Sequence, residues 1–457
     1  MIERLFRFRE LGTDVKTEVI AGLTTFMTMA YILAVNPIIL SGAGMDYNAV
    51  FIATALAAGV VTIAMGLFVN FPIALAPGMG LNAYFAAIVA SGQMSWQVAL
   101  GAVFLSGVIF IILTVTNIRQ LLVEAVPNSL KKAITVGIGL FITSIGLKLS
   151  GLAVVFIELL PGEFGGSFEN IAKAGKGVIT PSEWASKLGI ISEGPALLAI
   201  IGLLLSGLLL AKKVKGSLLW GIIITTLAGI PLGVTDLEGF SYSFPSFQNL
   251  AVGRLDIMGA LQAGLLTVIL TFTFVELFDT FGTLIGTAGK AGLLDEKGNN
   301  PRIGRAMLVD AFGVSFGALM GTSTVTSYIE SAAGIGEGGK SGLTAVTTGV
   351  MFLLAILLAP FFILIPSAAT APALILVGLL MVSAIREIDF EHMADAIPAF
   401  LTIVFMPFTA NIANGISAGI ITYVFLKVTT GKPREVHWLM YILFVLIALR
   451  YAFLGGE

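Results

Sequence analysis

Phe71-Pro72-Ile73-Ala74-Leu75-Ala76-Pro77-Gly78-Met79-Gly80-Leu81-Asn82 lies within a long apolar region, yet it cannot form a regular helix. Its two prolines remove backbone donors and clash with preceding carbonyls, and two glycines weaken what remains. A second irregular stretch, Gly321-Thr322-Ser323-Thr324-Val325-Thr326-Ser327-Tyr328-Ile329-Glu330-Ser331-Ala332-Ala333-Gly334, is dense in β-branched and hydroxyl residues before a helix-like run. It predicts an extended piece followed by a helix. At membrane depth irregular backbone survives only where protein or a water-filled cavity satisfies it, so two such segments at matching positions predict a shared binding cavity. The competing explanation is a pair of kinked packing helices.

The surroundings require a bilayer. Of 457 residues, 57% are hydrophobic and 11% charged, against about one quarter charged in a soluble domain. Stretches such as 194–211, 217–234 and 343–366 approach or exceed the roughly 20 residues that cross about 30 Å of hydrocarbon as a helix. Spans are predicted near 17–40, 48–69, 73–91, 97–116, 130–149, 194–211, 217–234, 262–288, 305–321, 325–341, 345–366, 371–385, 396–410 and 411–428. The basic loops from Arg119 to Lys132, Lys212 to Lys215 and Lys290 to Arg305, together with Arg386, all follow even-numbered spans. The positive-inside rule makes them cytoplasmic, with the Arg4/Arg7/Arg9 end. Splitting 396–428 near Asn411 keeps Lys427, Lys432 and Arg434 on that side. The apolar segment 437–454 is either an interfacial helix or a further span. The connection 150–193 is too long for a tight turn and is expected outside.

A net charge of −2 argues against a nucleic-acid surface. The absence of cysteine excludes disulfides and thiolate metal sites. His392 and His437 are isolated loop residues that form no metal constellation. A membrane enzyme would need a nucleophile–base pair or a metal cluster, for which neither cysteine nor intramembrane histidine is available.

Weak internal similarity suggests two inverted halves. Ala21-Gly22-Leu23-Thr24 opens the first span and Ala263-Gly264-Leu265-Leu266-Thr267 the eighth. Ala64-Met65-Gly66 precedes the irregular third span and Ala318-Leu319-Met320-Gly321 the irregular tenth. Seven spans, an odd number, separate each pair, and inverted repeats of this kind place substrate at their interface. Chance similarity between apolar segments is the rival explanation.

Glu276 and Asp279 stand three residues apart on one face of the eighth span, and no Lys or Arg occurs within 255–289. A charge at the bilayer centre costs about 2.5–3.5 kcal/mol, so these acids are expected to face the interior, where they can couple protons. Glu330 on the tenth span and Asp310 on the ninth are further acids. Acceptors without basic partners suit a neutral substrate rich in N–H donors and repel an anion; hydrogen bonding to neighbouring Thr or Ser is the purely structural alternative. Gly334-Ile335-Gly336-Glu337-Gly338-Gly339-Lys340-Ser341 satisfies the phosphate-loop pattern, but membrane spans flank it where a soluble α/β domain is required.

Several motifs together resemble the AzgA-like purine (guanine/hypoxanthine/adenine) permeases of the nucleobase/cation symporters. They are Glu10-Leu11-Gly12-Thr13, Met29-Ala30-Tyr31-Ile32-Leu33 with Val35-Asn36-Pro37, Ala76-Pro77-Gly78-Met79-Gly80-Leu81-Asn82-Ala83, Val275-Glu276-Leu277-Phe278-Asp279-Thr280 with Gly282-Thr283-Leu284, and Gly321 to Thr324 with Ser327-Tyr328-Ile329-Glu330-Ser331. The likeness implies an all-α polytopic membrane protein with the uracil-permease fold, about 14 transmembrane helices in a 7+7 inverted repeat, with short strand-like segments in spans 3 and 10. The expected units are 1–235 (spans 1–7), 253–428 (spans 8–14) and the 437–454 helix. Spans 1–4 and 8–11 would form a core domain, and spans 5–7 and 12–14 a gate domain.

By the same likeness Glu276 and Glu330 hydrogen-bond the purine, Asn82 lines the site, backbone near Ala76 and Ile329 completes the contacts, and Asp279 with Thr280 supports them. Members often carry Asp where this chain has Glu276. The implied activity is uptake of hypoxanthine, guanine or adenine across the plasma membrane, coupled to a proton in preference to sodium, without metal or cofactor. A uracil/xanthine carrier or an anion exchanger of the same fold is the alternative, and homodimer formation is left open.

Overall fold

The computed structural model describes residues 2–116, 125–157, 181–188, 190–192, 194–237, 242, 245–247, 249–262, 266–293, 302–409 and 411–453. In the first half, span 1 runs Val15–Met29 and Ile32–Ser41, and span 2 runs Tyr47–Ala64 into a π-helical turn, Met65–Val69. Span 3 is strand β1, Leu75–Pro77, followed by helix Met79–Ala90. Spans 4 to 7 are Trp96–Val115, Asn128–Leu149, Gly194–Ala211 and Ser217–Gly229. The 150–193 connection contributes strands β2, Ala153–Ile157, and β3, Pro181–Leu188, which pair antiparallel; residues 158–180 lie outside the described residues.

The second half repeats the plan. Spans 8 and 9 are Leu266–Lys290 and Ile303–Met320, and span 10 is strand β4, Val325–Ser327, followed by helix Ser331–Gly336. Span 11 is Gly342–Leu354, continued through a 3-10 turn into Ala359–Phe362. Spans 12 to 14 are Ser367–Val382, Met393–Phe408 and Ile412–Thr429, and Trp438–Phe453 is the last helix among the described residues. Asn411 separates spans 13 and 14 as expected, its side chain accepting from Ala413 N at 2.9 Å. Span 10 departs from its predicted 325–341. Its helix ends at Gly336, Gly338 adopts φ 99°, and Ser341 caps span 11, because the glycine-rich run favours a turn over further helix.

β1 and β4 pair antiparallel, Leu75 facing Ser327, Ala76 facing Thr326 and Pro77 facing Val325. Gly78 N donates to Thr324 O at 2.9 Å and Tyr328 N to Ala74 O at 3.0 Å, extending the ladder at both ends. Side chains serve the outer edges. Thr62 on span 2 bonds both Leu75 N and Leu75 O at 2.9 Å, Ser331 Oγ accepts from Ala74 N at 3.0 Å, and Asp310 on span 9 accepts from Ser327 N at 2.8 Å. These partners are what permit an extended pair inside a bundle that lipid surrounds.

Small residues bring spans 2 and 11 into contact. A Cβ on Gly342 would collide with the backbone of Gly66, so neither position has room for a side chain. On one face of the bundle, Lys132 pairs with Glu387 and Lys215 with Glu337, each at 2.6 Å. On that face too, Asn70, in the left-handed conformation after span 2, donates to Phe6 O at 3.1 Å and accepts from Gly342 N at 2.6 Å, while Arg302 donates to its carbonyl at 3.0 Å. The loops predicted to share the basic side are therefore tied to one another and to the N-terminal segment.

The phosphate-loop-like segment does cradle an anion, but the anion is internal. The fully buried Glu18 of span 1 accepts from Lys340 N at 2.9 Å and from Ser341 N at 3.1 and 3.2 Å, with the hydroxyls of Thr13 and Thr344 at 2.8 and 2.5 Å. Glu18→Ala would strand these donors, and an orphaned buried donor costs about 1–3 kcal/mol. A lowered melting temperature in detergent is the expected result; an unchanged one would show that span 1 is held to span 11 by packing alone.

Candidate functional site

Span 8 is an uninterrupted helix, so Glu276 and Thr280 lie one turn apart on the same face. Both are buried. The Thr280 hydroxyl is 3.3 Å from Glu276 Oε1, 2.7 Å from Asp310 Oδ2 and 3.0 Å from Thr326 Oγ1. Asp310 Oδ1 accepts from Ser327 N and Ser327 Oγ at 2.8 and 2.7 Å. Glu276 is thus connected through Thr280 to β4, at the residue whose cross-strand partner is Ala76.

At the other end of β4 the chain turns through Tyr328, Ile329 and Glu330 into a short helix. The Tyr328 hydroxyl donates to Pro77 O, closing the turn onto β1. Ile329 is 54% exposed and Glu330 half-buried. Tyr31, itself 1% exposed, donates to Glu330 Oε1 at 2.8 Å from the break between the two halves of span 1. Glu276 is thus linked to the middle of β4, and Glu330 stands at the turn that follows it.

Asn82 begins the second turn of the helix after β1 and is completely buried. Its Nδ2 donates to Asn36 Oδ1 at 2.6 Å, and Asn36 Nδ2 reaches Thr54 and Thr322 hydroxyls at 2.8 and 2.9 Å. This second polar cluster joins spans 1, 2, 3 and 10. Asp279 follows Glu276 on the span 8 helix, and its side chain lies outside the described residues.

Of the residues expected from sequence, the structure groups Glu276, Thr280 and Ala76 around β4, and Ile329 with Glu330 at the following turn. Asn82 sits in the neighbouring asparagine cluster. Tyr31, Asn36, Thr326 and the clamping role of Asp310 were not anticipated. Asp310 carried a signal as an acid in an apolar span; Tyr31 and Asn36 carried none beyond membership of a motif, since an aromatic or an amide in span 1 also suits simple packing.

Two halves of like plan, each crossing the membrane repeatedly and each contributing one broken span to a central pair of strands, define a membrane transporter of the inverted-repeat fold. The chain belongs to the xanthine/uracil permeases, described as the Permease family, which it matches over residues 16–163 and 194–418. It is 41% identical over 458 residues to the adenine permease AdeP of Escherichia coli strain K12, covering 100% of this chain and 97% of that protein. It is 42% identical over 470 residues to the guanine/hypoxanthine permease PbuG of Bacillus subtilis, covering 99% of this chain and 100% of the other. Among solved structures, the transmembrane domain of a cyanobacterial bicarbonate transporter, BicA, matches with a TM-score of 0.60 at 16% identity, over 90% of this chain and 98% of that one. At that identity the match speaks for the fold.

Proposed function

We propose that this permease takes up purine nucleobases, hypoxanthine, guanine or adenine, by alternating access driven by an ion gradient, with the proton as coupling ion in preference to sodium. The observation that carries the proposal is full-length similarity to permeases named for adenine and for guanine/hypoxanthine, in a chain with one acid linked to β4 through Thr280 and another at the turn after it. In this account Glu276 and Glu330 accept from purine N–H groups, backbone near Ala76 and Ile329 completes the recognition, Asn82 lines the site, and Asp279 with Thr280 supports Glu276. Spans 1–4 and 8–11 move as a core against a gate of spans 5–7 and 12–14, with 1–235 and 253–428 as the repeats. The protein would sit in the plasma membrane with its N-terminus in the cytoplasm.

The test is radiolabelled hypoxanthine uptake into proteoliposomes under an imposed inward proton gradient, repeated with sodium, with adenine, guanine, uracil and xanthine as competitors. Accumulation that purines block and a protonophore abolishes is expected. Failure of folded, reconstituted protein to take up any nucleobase would refute the proposal, and uptake driven by sodium alone would change the ion.

A further inference from the structure

The cluster of Asn36, Asn82, Thr54 and Thr322 is wholly buried, with all four side chains at 0% exposure. A carboxamide has a donor side with two hydrogens and an acceptor side with none, so its orientation decides what it can offer. Here Asn36 Nδ2 stands between two threonine oxygens and Asn36 Oδ1 meets Asn82 Nδ2. This sense places both Asn36 hydrogens on hydroxyls and one Asn82 hydrogen on a carbonyl. The reverse sense would turn Asn36 Nδ2 towards Asn82 Oδ1, leaving one Asn36 hydrogen and both Asn82 hydrogens unplaced. Since buried donors without acceptors are costly, the observed sense is favoured. What it leaves over is Asn82 Oδ1, a fully buried oxygen that has no hydrogen-bond partner among the described residues.

We infer that Asn36 is a positioning residue that fixes the hydrogen-bonding sense of Asn82, so that Asn82 offers the purine an acceptor and selects a base with an N–H at that edge. The inference rests on the nucleobase reading above and deepens it. Asn36 does not touch the base; it acts by consuming the donor side of Asn82, while Thr54 and Thr322 hold Asn36 itself.

The experiment measures dissociation constants of purified protein for hypoxanthine and for its 1-, 7- and 9-deaza analogues, which replace a ring nitrogen by carbon without adding bulk. In the wild type one analogue lacking an N–H is expected to bind about ten- to a hundredfold more weakly. Asn36→Asp, which keeps an acceptor towards Asn82, is expected to retain that ratio. Asn36→Leu, which frees Asn82 to turn, is expected to reduce it to less than about threefold. A loss of binding in Asn36→Leu that is equal for every base, with ratios unchanged, would reduce Asn36 to a packing role and overturn the inference. So would a reversed preference in Asn36→Asp, which would mean that Asn36 donates to Asn82; this arm decides the matter if the leucine variant does not fold. Wild-type protein that binds no purine would overturn the nucleobase reading and this inference with it.

Discussion

Glu330→Gln is expected to weaken purine binding by about ten- to a hundredfold, the range set by losing a hydrogen bond to a charged acceptor. Glutamine keeps a carbonyl oxygen to accept from Tyr31, so the bond that anchors residue 330 to span 1 is preserved. The half-buried position tolerates an amide without stranding a charge. What disappears is the negative acceptor for a purine N–H. Glu276→Gln is expected to behave similarly, with the added feature that its neighbour Thr280 can still donate or accept across the 3.3 Å contact. Calorimetric titration of each variant, with circular dichroism as a control for folding, checks this. Wild-type affinity in both variants would remove these acids from the site. Tyr31→Phe separates binding from positioning: it leaves the carboxylate in place but unanchored, so a smaller loss than that of Glu330→Gln is expected.

The fold was legible in the sequence because its determinants are local. Apolar length marks spans, and Pro72 and Pro77 forbid a regular helix at one defined place, while Gly78 caps and Gly80 joins the helix that follows. The matching break at Gly321–Ser327 could be read from β-branched and hydroxyl content. The antiparallel pairing of Ala76 with Thr326 could not, because nothing in either segment names its partner 250 positions away, and the two meet only through the relation between the halves. The end of span 10 was misjudged for a comparable reason. The sequence carries the span through 341, and although the glycines of Gly334–Ser341 favour a turn, the side chain that accepts from the Lys340 and Ser341 amides, Glu18, comes from span 1.

The candidate site divides in the same way. Glu276 and Glu330 stand out because an acid in an apolar span is costly and needs a reason. Thr280, Thr326, Tyr31 and Asn36 are ordinary residues whose importance lies in whom they meet. A hydroxyl four residues after an acid on a helix is commonplace; one that also lies 2.7 Å from an acid on another span is not.

Asp310 offers the second large effect, and its two simplest variants should separate folding from transport. Asp310→Ala removes the acceptor of Ser327 N, which cannot turn to find another, and leaves a cavity beside β4. With the Ser327 and Thr280 hydroxyls also losing their acceptor, a destabilisation of about 2–5 kcal/mol is expected, visible as a lower melting temperature and loss of uptake. Asp310→Asn is subtler. Its remaining oxygen can still accept from Ser327 N and Oγ, holding β4 in place. Its new amide now faces the Thr280 hydroxyl, which must accept where it had donated. The Thr280 proton is then free to point at Glu276 or Thr326, which alters the acceptor strength of Glu276 without moving a strand. Asp310→Asn is therefore expected to melt close to the wild type while binding and transporting purines poorly, and Thr280→Val to share that loss. A melting temperature as low as that of Asp310→Ala would make the residue a structural clamp only, whereas normal uptake in Asp310→Asn would show that the sense of the Thr280 hydrogen bond does not reach the site.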